Sequence, residues 1–486
     1  MLKRLFVCLA AAGLCTALSI TASATEYLFK LREDSAVVFG EANLFSEECF
    51  DDDSALARIG GVYTTDDISI IEKYREMGLL EYYEENSPAY LFDMPQTGEY
   101  MTNLVYGYVP IGESLAQLNV NEFWKIGLSG KGITVGVIDS GANAHTALAD
   151  NLLSGYNTYD GNYNTSDGVG HGTMVSGLIA ACSDGYRGAA YNAKIVPLKA
   201  FNDSGSGNTR TMANGIYEAI NNYGCDVINM SCGSLADDIT LKNAVKYAVD
   251  NGVLIIAASG NVRNANYGIA TVGSYDSLMY PACYDGVVSV GNIDRYGILS
   301  NTSMENDYVD VVAHGKYVTG LSNIALSGYK GNSGTSFASP IVAGIVACML
   351  EAKPDLTPAQ IEKMLQQTAT DLGSTGKDFS YGYGKVNCAA MVPKLLDGKI
   401  YRSNVVEYKG TYNVAIRNGL DAVHNAKYFF ATYNGNRMTG IKSGDLSLSK
   451  GESKVVSESK NGTQQKYFEL NPINNFLPFK TISINN

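Results

Sequence analysis

The sequence predicts an α/β protein whose residues 113–397 form a doubly wound, mainly parallel sheet. A small α+β unit is predicted before this domain and a small all-β unit after it. Three observations support the prediction. Apolar runs recur through the middle of the chain, helical stretches separate them, and residues 398–486 alternate between polar and apolar side chains.

The apolar runs have the composition of parallel strands that are covered on both faces. They are ITVGVID (133–139), AKIVPLKAF (193–201), DVINMS (226–231), VLIIAAS (253–259) and VVSVGNI (287–293). Helical stretches such as TRTMANGIYEAINNYG and TLKNAVKYAVDNG lie between them, and two more helices follow Ser336. Strands that alternate with helices indicate a parallel sheet with helices on both faces.

The first 24 residues have the layout of a secretory signal peptide. Lys3 and Arg4 precede an apolar run, and Ala22-Ser23-Ala24 supplies small residues for cleavage after Ala24. A membrane anchor is the alternative, but the run is short for one. Because no later stretch is long and apolar enough to span a bilayer, we expect a secreted protein without a transmembrane segment after signal removal. Attachment to the cell surface stays open.

Residues 25–112 are predicted to form the small α+β unit. EYLFKLRED indicates a strand, ISIIEKYREMGLL a helix, and YYEENSPAYLF (82–92) a second strand. The stretch MPQTGEYMTNLVYGYVPIG (94–112) is typical of an exposed linker. At the other end of the chain, Asn-Gly pairs separate alternating segments, which predicts a small sandwich over residues 398–486.

Charge and cysteine content exclude some classes of protein. A net charge of −13 argues against a nucleic-acid partner, since such proteins need a basic surface. Of the nine cysteines, several lie inside or beside apolar runs, and no C-x-x-C spacing indicates zinc. We therefore expect mostly free, buried thiols, although an exported chain can also form disulfides.

Polar residues that could form a nucleophilic site follow several of the predicted strands or begin a helix. Ser336 lies where a polar stretch meets an apolar helix, and the unpaired N–H groups of a helix start favour negative charge. His171 also precedes a helical run, with His145 as its nearest rival. Asp139 and Asn261 follow apolar strands, where sites in open α/β sheets collect. Taken alone, Ser336 is better explained as an ordinary helix cap, and a single histidine is usually a surface or satisfied core residue. Asp139 and Asn261 are each compatible with an ordinary turn.

Taken together, four motifs resemble those of the subtilisin-like serine proteases, the subtilase family. They are VGVIDSG, GHGTMVSG, AASGN and GTSFASPIVAG, and they occur in the order of that family. DVINMSCG, YPACYDGVVSVGNID and YGYGKVN add to the resemblance, which covers residues 113–397. It implies a subtilisin-like fold and a secreted serine endopeptidase that is made as a self-processing precursor.

The resemblance also implies a role for each candidate residue. Ser336 would be the nucleophile, His171 its general base and Asp139 the acid that orients the imidazole. Asn261 and the Ser336 backbone N–H would form an oxyanion hole. A peptide substrate would bind as an added strand. The substrate-binding residues would be Ser231, Cys232 and Gly233 along that strand, with Ala258, Ser259 and Gly260 around the residue before the cut.

Some positions depart from the family pattern. Phe337 stands where methionine is usual, and His314 stands where proline is usual. The segment ACSDGYRGAAYN is shorter than the matching calcium-binding loop of secreted subtilisins, so a tight calcium site there is in doubt. The chemistry requires no cofactor, while acidic loops elsewhere leave a structural calcium ion open and its ligands unassigned.

The same resemblance makes residues 25–112 a propeptide that assists folding and then blocks the cleft as an intramolecular inhibitor. Self-cleavage is expected between about Met94 and Gly112. Residues 398–486 resemble β-sandwich modules of exported clostridial-type proteins, with FFATYNGNRMTGIKS as the most similar stretch. Attachment, substrate docking and stabilisation are all compatible with this module.

Two alternatives to a broadly acting protease stay open. An inactive subtilase-fold surface or binding protein would be expected to lack one of the four site residues, and none is missing. A processing protease that cuts after basic residues needs acidic groups in its pockets. Because AASGN and MSCGS contain none, we expect a preference for apolar or varied side chains, unless Asp276 contributes to the pocket.

Overall fold

The computed structural model of the chain describes residues 25–32, 54–91, 111–262, 274–324, 327–397, 400–402, 406–408, 411–434, 437–459, 464–470 and 478–485. The predicted signal peptide, Cys49 and all but the last two residues of the predicted linker and cleavage interval lie outside these ranges. The chain divides into two compact units. One comprises residues 1–52 and 61–86, and the other residues 53–60 and 87–486.

The N-terminal elements alternate between the two units. In chain order they are β1 (Tyr27–Leu31), α1 (Ala55–Gly60), β2 (Val62–Thr65), α2 (Ile68–Glu76), β3 (Leu80–Glu85) and β4 (Pro88–Leu91). In the first unit the strands form an antiparallel sheet in the order β2-β1-β3. Phe29 packs against Ile71 and Tyr74 of α2, which Asp67 caps by accepting from Ser69 N at 2.9 Å.

The single strand predicted over residues 82–92 is wrong, because the segment forms two strands in different sheets. The β3 ladder ends where Asn86 N donates to Glu26 O. Ser87 instead exchanges hydrogen bonds with Thr209, and Pro88 has no N–H with which to continue the first ladder. Strand β4 therefore belongs to the second unit.

The second unit contains most of the helices and the central sheet. Its further helices are α3 (Ile111–Gln117), α4 (Val120–Lys125), α5 (His171–Ala180), α6 (Thr209–Asn221), α7 (Ile239–Asp250), α8 (Thr335–Ala352), α9 (Pro358–Thr368) and α10 (Cys388–Leu396). Its strands up to β15 are β5 (Thr134–Asp139), β6 (Tyr156–Asn157), β7 (Lys194–Lys199), β8 (Ser206–Asn208), β9 (Val227–Met230), β10 (Cys232–Gly233), β11 (Leu254–Ala258), β12 (Val287–Ile293), β13 (Val311–His314), β14 (Val318–Leu321) and β15 (Tyr329–Asn332).

The central sheet confirms the predicted α/β class. Seven strands pair in the order β13-β12-β11-β9-β5-β7-β6, and every pair in it is parallel. The five predicted runs became β5, β7, β9, β11 and β12. After β5 the chain adds β6 and β7 on one side of this strand, and it then adds β9, β11, β12 and β13 on the other side. The strand order therefore reverses between β5 and β9. A crevice forms at the carboxyl ends of strands at such a switch point.

Alternate side chains of β5 face helices on opposite sides of the sheet. Val135 and Val137 belong to the large core that also contains α5 and α8. On the other side, a Cβ at Gly136 would meet Ala219 of α6, and Ile138 lies against Gly215 of the same helix. Coverage on both sides explains why the strands consist of continuous apolar runs.

Helix α8 is the central helix of this core. Within the described ranges it is the one helix long and apolar enough to cross a membrane. The prediction that no later stretch has this composition was therefore too strong. However, 94% of the helix is buried inside the protein, which is typical of a core helix.

The C-terminal residues form two antiparallel sheets that share one core. The strands are β16 (Ile400–Arg402), β17 (Val406–Tyr408), β18 (Thr411–Asn418), β19 (His424–Asn434), β20 (Arg437–Leu448), β21 (Ser453–Ser459), β22 (Gln464–Leu470) and β23 (Pro478–Asn485). One sheet contains β16, β18, β17 and β21, and the other has the order β20-β19-β22-β23. Val414 and Val456 of the first sheet cluster with Phe430, Leu446 and Tyr467 of the second.

The cysteines within the described ranges are free, as predicted. Five are buried and Cys182 is exposed. Burial raises the pKa of the Cys225 thiol to about 12 and that of Cys283 to about 11, so these side chains stay protonated at neutral pH. They act as small apolar groups.

Candidate active site

The predicted site residues meet at the carboxyl edge of the central sheet, where the strand order reverses. Asp139 is the last residue of β5, Ser231 directly follows β9, and Asn261 lies just beyond β11. His171 and Ser336 begin helices α5 and α8, which pack on the same face of the sheet. Three strand ends and two helix starts thus bring the polar side chains to one place.

Asp139 and His171 form a buried, hydrogen-bonded pair. His171 Nδ1 lies 2.8 Å from Asp139 Oδ1 and 2.9 Å from Oδ2, and both side chains are fully buried. Contact with a carboxylate keeps the proton on Nδ1 in the neutral ring, so Nε2 is the basic nitrogen. This close approach requires glycine at position 172, since a Cβ there would lie 2.0 Å from Gly141 O and 3.0 Å from Asp139 Oδ1.

Ser336 is the second residue of α8 and is fully buried. Its hydroxyl donates to Ser231 O at 3.1 Å. The residue before the helix, Gly334, has φ 155° and ψ 169°, a backbone conformation that is essentially limited to glycine. The ring of Phe337 lies 5.5 Å from the ring of His171, so this replacement for the usual methionine packs against the histidine.

Pro340 explains a second contact of Ser336. In a regular helix the N–H of residue 340 would bond the carbonyl of residue 336, but proline has no N–H. The Ser231 hydroxyl takes this place by donating to Ser336 O at 2.9 Å. Ser231 also lies 3.0 Å from Ser339 Oγ. The end of β9 is thereby tied to the first turn of α8.

The orientation of the Asn261 amide follows from its neighbours. Asn261 Oδ1 accepts hydrogen bonds from Thr335 N and Thr335 Oγ1, both at 3.1 Å. Because the oxygen faces α8, the amide nitrogen lies on the opposite side of the group. A buried amide donor beside the start of α8 can stabilise negative charge on a bound ligand.

The predicted substrate-binding strand pairs with a segment of the chain itself. Cys232 and Gly233 form β10, which pairs antiparallel with β4 through Cys232↔Leu91 and Gly233↔Tyr90. On its other side β4 pairs with β8, with Tyr90↔Ser206 and Pro88↔Asn208 in register. Strand β8, which flanks β4 on the side opposite β10, was not predicted from the sequence. The GSG tripeptide (205–207) was the one sequence feature that could have indicated an extended segment there.

An apolar cluster lies behind the predicted pocket wall. Ala258 packs with Val262, Met279 and Met304. A Cβ at Gly260 would lie 2.5 Å from Met304 Sδ and 3.3 Å from Met279, so both methionines border this wall. Ser259 is buried beside them. The two methionines are distant in sequence and were not predicted.

Asp276 does not belong to this apolar cluster. Its side chain is fully exposed and accepts a hydrogen bond from Ser274, which lowers the pKa of the carboxyl. The described part of the wall therefore contains no acidic group. Residues 263–273, which precede Asp276, lie outside the described ranges.

The two other histidines of this domain are held by structural contacts. His145 Nε2 lies 2.9 Å from Gly328 O, and Nδ1 accepts from Ala147 N at 3.1 Å. Both ring nitrogens are therefore hydrogen-bonded to backbone groups, which makes His145 unsuitable as the general base. His314 contacts Ser114 Oγ at 2.7 Å, and burial lowers the pKa of its ring to about 4.

Metal binding was left open by the sequence. Among the described residues, no group of three or more His, Cys, Asp or Glu side chains is arranged to hold a metal ion. The structural calcium ion thus stays a prediction without assigned ligands.

Comparison with known proteins gives consistent results. The subtilase family model matches residues 130–384. Subtilisin DY from Bacillus licheniformis is 37% identical over 54% of this chain and 92% of its own length, and subtilisin Savinase from Lederbergia lenta is 38% identical over the same shares. The minor extracellular protease Epr from Bacillus subtilis is 35% identical over 57% of this chain, but the match spans only 41% of that protein.

Proposed function

Because this chain belongs to the subtilase family of serine endopeptidases, we propose that it hydrolyses peptide bonds with Ser336, His171 and Asp139 as its catalytic residues. The observation that carries this proposal is the buried contact of His171 Nδ1 with both oxygens of Asp139 beside the start of α8. An oriented imidazole next to a helix-start serine is the arrangement that activates a hydroxyl as a nucleophile.

The reaction proceeds through two acyl transfers. Ser336 Oγ attacks the carbonyl carbon of the scissile bond while His171 Nε2 takes the hydroxyl proton. His171 then returns this proton to the leaving amine, and an acyl-enzyme forms. Water, deprotonated by His171, attacks the ester, and His171 then passes this proton to Ser336 Oγ as the carboxylic acid leaves. Asp139 keeps the ring in the required tautomer and stabilises the imidazolium in both halves.

The negative charge of each tetrahedral intermediate falls on the former carbonyl oxygen. The Asn261 amide and the Ser336 backbone N–H donate to this oxygen. Because Thr335 holds the Asn261 amide in place before substrate arrives, the donor needs no reorganisation. One such donor typically contributes about 10²–10³ to turnover.

An inactive binding protein is the second candidate. Such a protein would need the fold and the pairing of β4 between β8 and β10, but it would not need an activated histidine. The burial of the hydrogen-bonded Asp139 carboxyl and His171 ring favours the enzyme, since burying such polar groups costs stability and a binding function does not require them.

We also propose that the chain processes itself at the end of β4. Strand β4 occupies the position of a bound substrate between β8 and β10. A peptide that binds in this register places the residue after the one paired with Cys232 opposite Ser231, whose carbonyl lies 3.1 Å from Ser336 Oγ. In the sequence of this chain the residue after Leu91 is Phe92. The carbonyl of residue 92 is then the one under attack, so the scissile bond is Phe92–Asp93. This bond precedes the interval predicted from the sequence.

Intact-mass analysis of purified residues 25–486 tests both proposals. We expect a mature form that begins at Asp93 and that digests an unfolded protein. Leu91→Glu slows the cut by at least about tenfold, because Leu91 is 3% exposed and a carboxylate there must be buried. Pro88→Glu is the matched control at the exposed end of the same strand. A wild-type chain that neither trims itself nor digests protein contradicts the proposed function.

A mature terminus elsewhere, together with a wild-type rate for Leu91→Glu, would contradict the assigned bond alone. Retention of the N-terminal part after the cut would make residues 25–92 the inhibitor of the cleft. The apolar cluster behind Gly260 favours an apolar residue before the cut, and Phe92 fits this preference.

We propose that the protein is secreted. The signal-like first 24 residues support export, and one relative is named an extracellular protease. The two C-terminal sheets form an appended β-sandwich module whose role is compatible with surface attachment, substrate docking or stabilisation.

A further inference from the structure

A second buried carboxylate lies close to the Asp139–His171 pair. Asp167 is 2% exposed and precedes helix α5. It accepts four hydrogen bonds: from Ser140 Oγ at 2.8 Å, Gly170 N at 2.6 Å, Thr173 N at 2.8 Å and Thr173 Oγ1 at 2.6 Å. Two of these partners are backbone N–H groups, which can only donate and therefore favour the ionised carboxylate. Asp167 thereby caps the helix that begins with His171.

Ser140 connects the two carboxylates. Its hydroxyl oxygen lies 2.8 Å from Asp167 Oδ1 and 3.2 Å from Asp139 Oδ1, and it accepts from Gly172 N at 3.0 Å. A hydroxyl has a single proton, and the shorter contact favours Asp167 as its acceptor. Because the Ser140 hydroxyl proton points to Asp167 and not to Asp139, the charge of Asp139 remains available to His171.

We infer that Asp167 is a positioning residue for catalysis, which holds the start of α5 and, through Ser140, the charge of Asp139 in the geometry that His171 requires. This inference rests on the proposed function of the site. It goes beyond the triad because Asp167 has no contact with the imidazole among the hydrogen bonds described. Its effect passes through the helix start and through Ser140.

Other charges surround Asp167, and they define how its removal changes the site. Burial raises the pKa of the Asp167 carboxyl, and Asp139 adds to this effect. The hydrogen bonds from Thr173 and Gly170 oppose this effect. Burial lowers the pKa of Lys330 to about 8, and the charge of Asp167 acts against that shift. The titratable groups around Asp167 are Asp139, His171, Lys330, Lys199, which donates to Ser140 O, and Asp203, which accepts from Gly168 N.

Two variants separate the charge of Asp167 from its hydrogen bonds. Asp167→Asn removes one negative charge near His171, so the imidazolium is less favoured. In the pH profile of kcat/KM, the acid limb should therefore move to lower pH by about half a unit or more. Ser140→Ala keeps both charges, so its acid limb stays in place. In both variants we expect kcat to fall at least about tenfold with KM within twofold, because geometry is lost only around the reacting groups.

The measurement uses the mature enzyme and the chromogenic peptide Ala-Tyr-Leu-Phe-p-nitroanilide, whose residues match positions 89–92. Rates are expressed per active site counted by burst titration, so that misfolded protein does not lower kcat. Asp203→Asn is the control. This exposed carboxylate follows β7 and accepts from Gly168 N, next to Asp167, but it contacts neither Ser140 nor α5 among the hydrogen bonds described. Its kcat should stay within about threefold of wild type.

The inference is overturned if both variants retain wild-type kcat per site and an unchanged acid limb. It is also overturned if Asp203→Asn loses as much activity as Asp167→Asn, because general loosening of the loop would then explain the result. An inactive wild-type enzyme would instead count against the proposed function.

Discussion

Replacing Ser336 with alanine will leave residues 25–486 uncut and will lower proteolysis by about 10⁶-fold, the order of loss known for removal of the nucleophile in a related serine protease. The variant loses the atom that bonds to the substrate carbonyl. Among the described residues it loses one hydrogen bond of the folded state, the 3.1 Å contact with Ser231 O. The fold should therefore survive, and intact mass and digestion of an unfolded protein report the chemistry alone.

Ser176→Ala provides the matched control for this variant. Ser176 is a buried serine on α5, and its hydroxyl has no hydrogen-bond partner among the described residues. Its removal should change neither processing nor activity. If Ser336→Ala still trims itself and digests protein, Ser336 is not the nucleophile and the proposed mechanism fails.

Replacing Asp139 with asparagine will lower kcat by about 10⁴-fold at neutral pH. An amide can present its N–H₂ group to His171 Nδ1, which moves the ring proton to Nε2 and leaves no base facing the nucleophile. The peptide should still bind, because the strands that hold it do not involve Asp139. Steady-state kinetics of pre-processed enzyme therefore separate a loss in kcat from a change in KM.

Asp226→Asn is the control. Asp226 directly precedes β9 and contacts the end of β5 that is opposite to Asp139. Asp226 accepts a hydrogen bond from Thr134 N at 2.8 Å, and asparagine can accept this bond as well. Activity should stay within about threefold of wild type. An Asp139→Asn enzyme that retains more than a tenth of wild-type kcat would show that His171 does not depend on this carboxylate.

The central sheet and its site could be predicted from the sequence for a physical reason. Strands covered on both faces must be apolar throughout, so β5, β9 and β11 stand out as runs, and the polar residue that ends each run marks the edge of the sheet. The ordered motifs around Asp139 and Ser336 then assigned the chemistry. The motifs in the sequence and the topology of the sheet both predict a site at the carboxyl ends of these strands.

Contacts between distant segments could not be predicted in this way. Met279 and Met304 border the pocket wall only because their loops fold back against Gly260. Hydrophobic periodicity in the sequence does not indicate contacts between loops that are distant in the chain. The change of sheet at Asn86 and Ser87 was missed because a continuous β-like composition hides where the partner strand changes. Asp167 was not singled out from the sequence, because its four hydrogen-bond donors come together only in the folded structure.

The most direct measurement of the central claim is covalent labelling of the mature enzyme with a fluorophosphonate, which reacts with activated serine hydroxyls. Peptide mass mapping then locates the adduct. The account predicts a single adduct on Ser336, together with complete loss of proteolysis and much slower labelling of Asp139→Asn. An adduct on another residue that abolishes activity, or full activity after Ser336 is labelled, would contradict it.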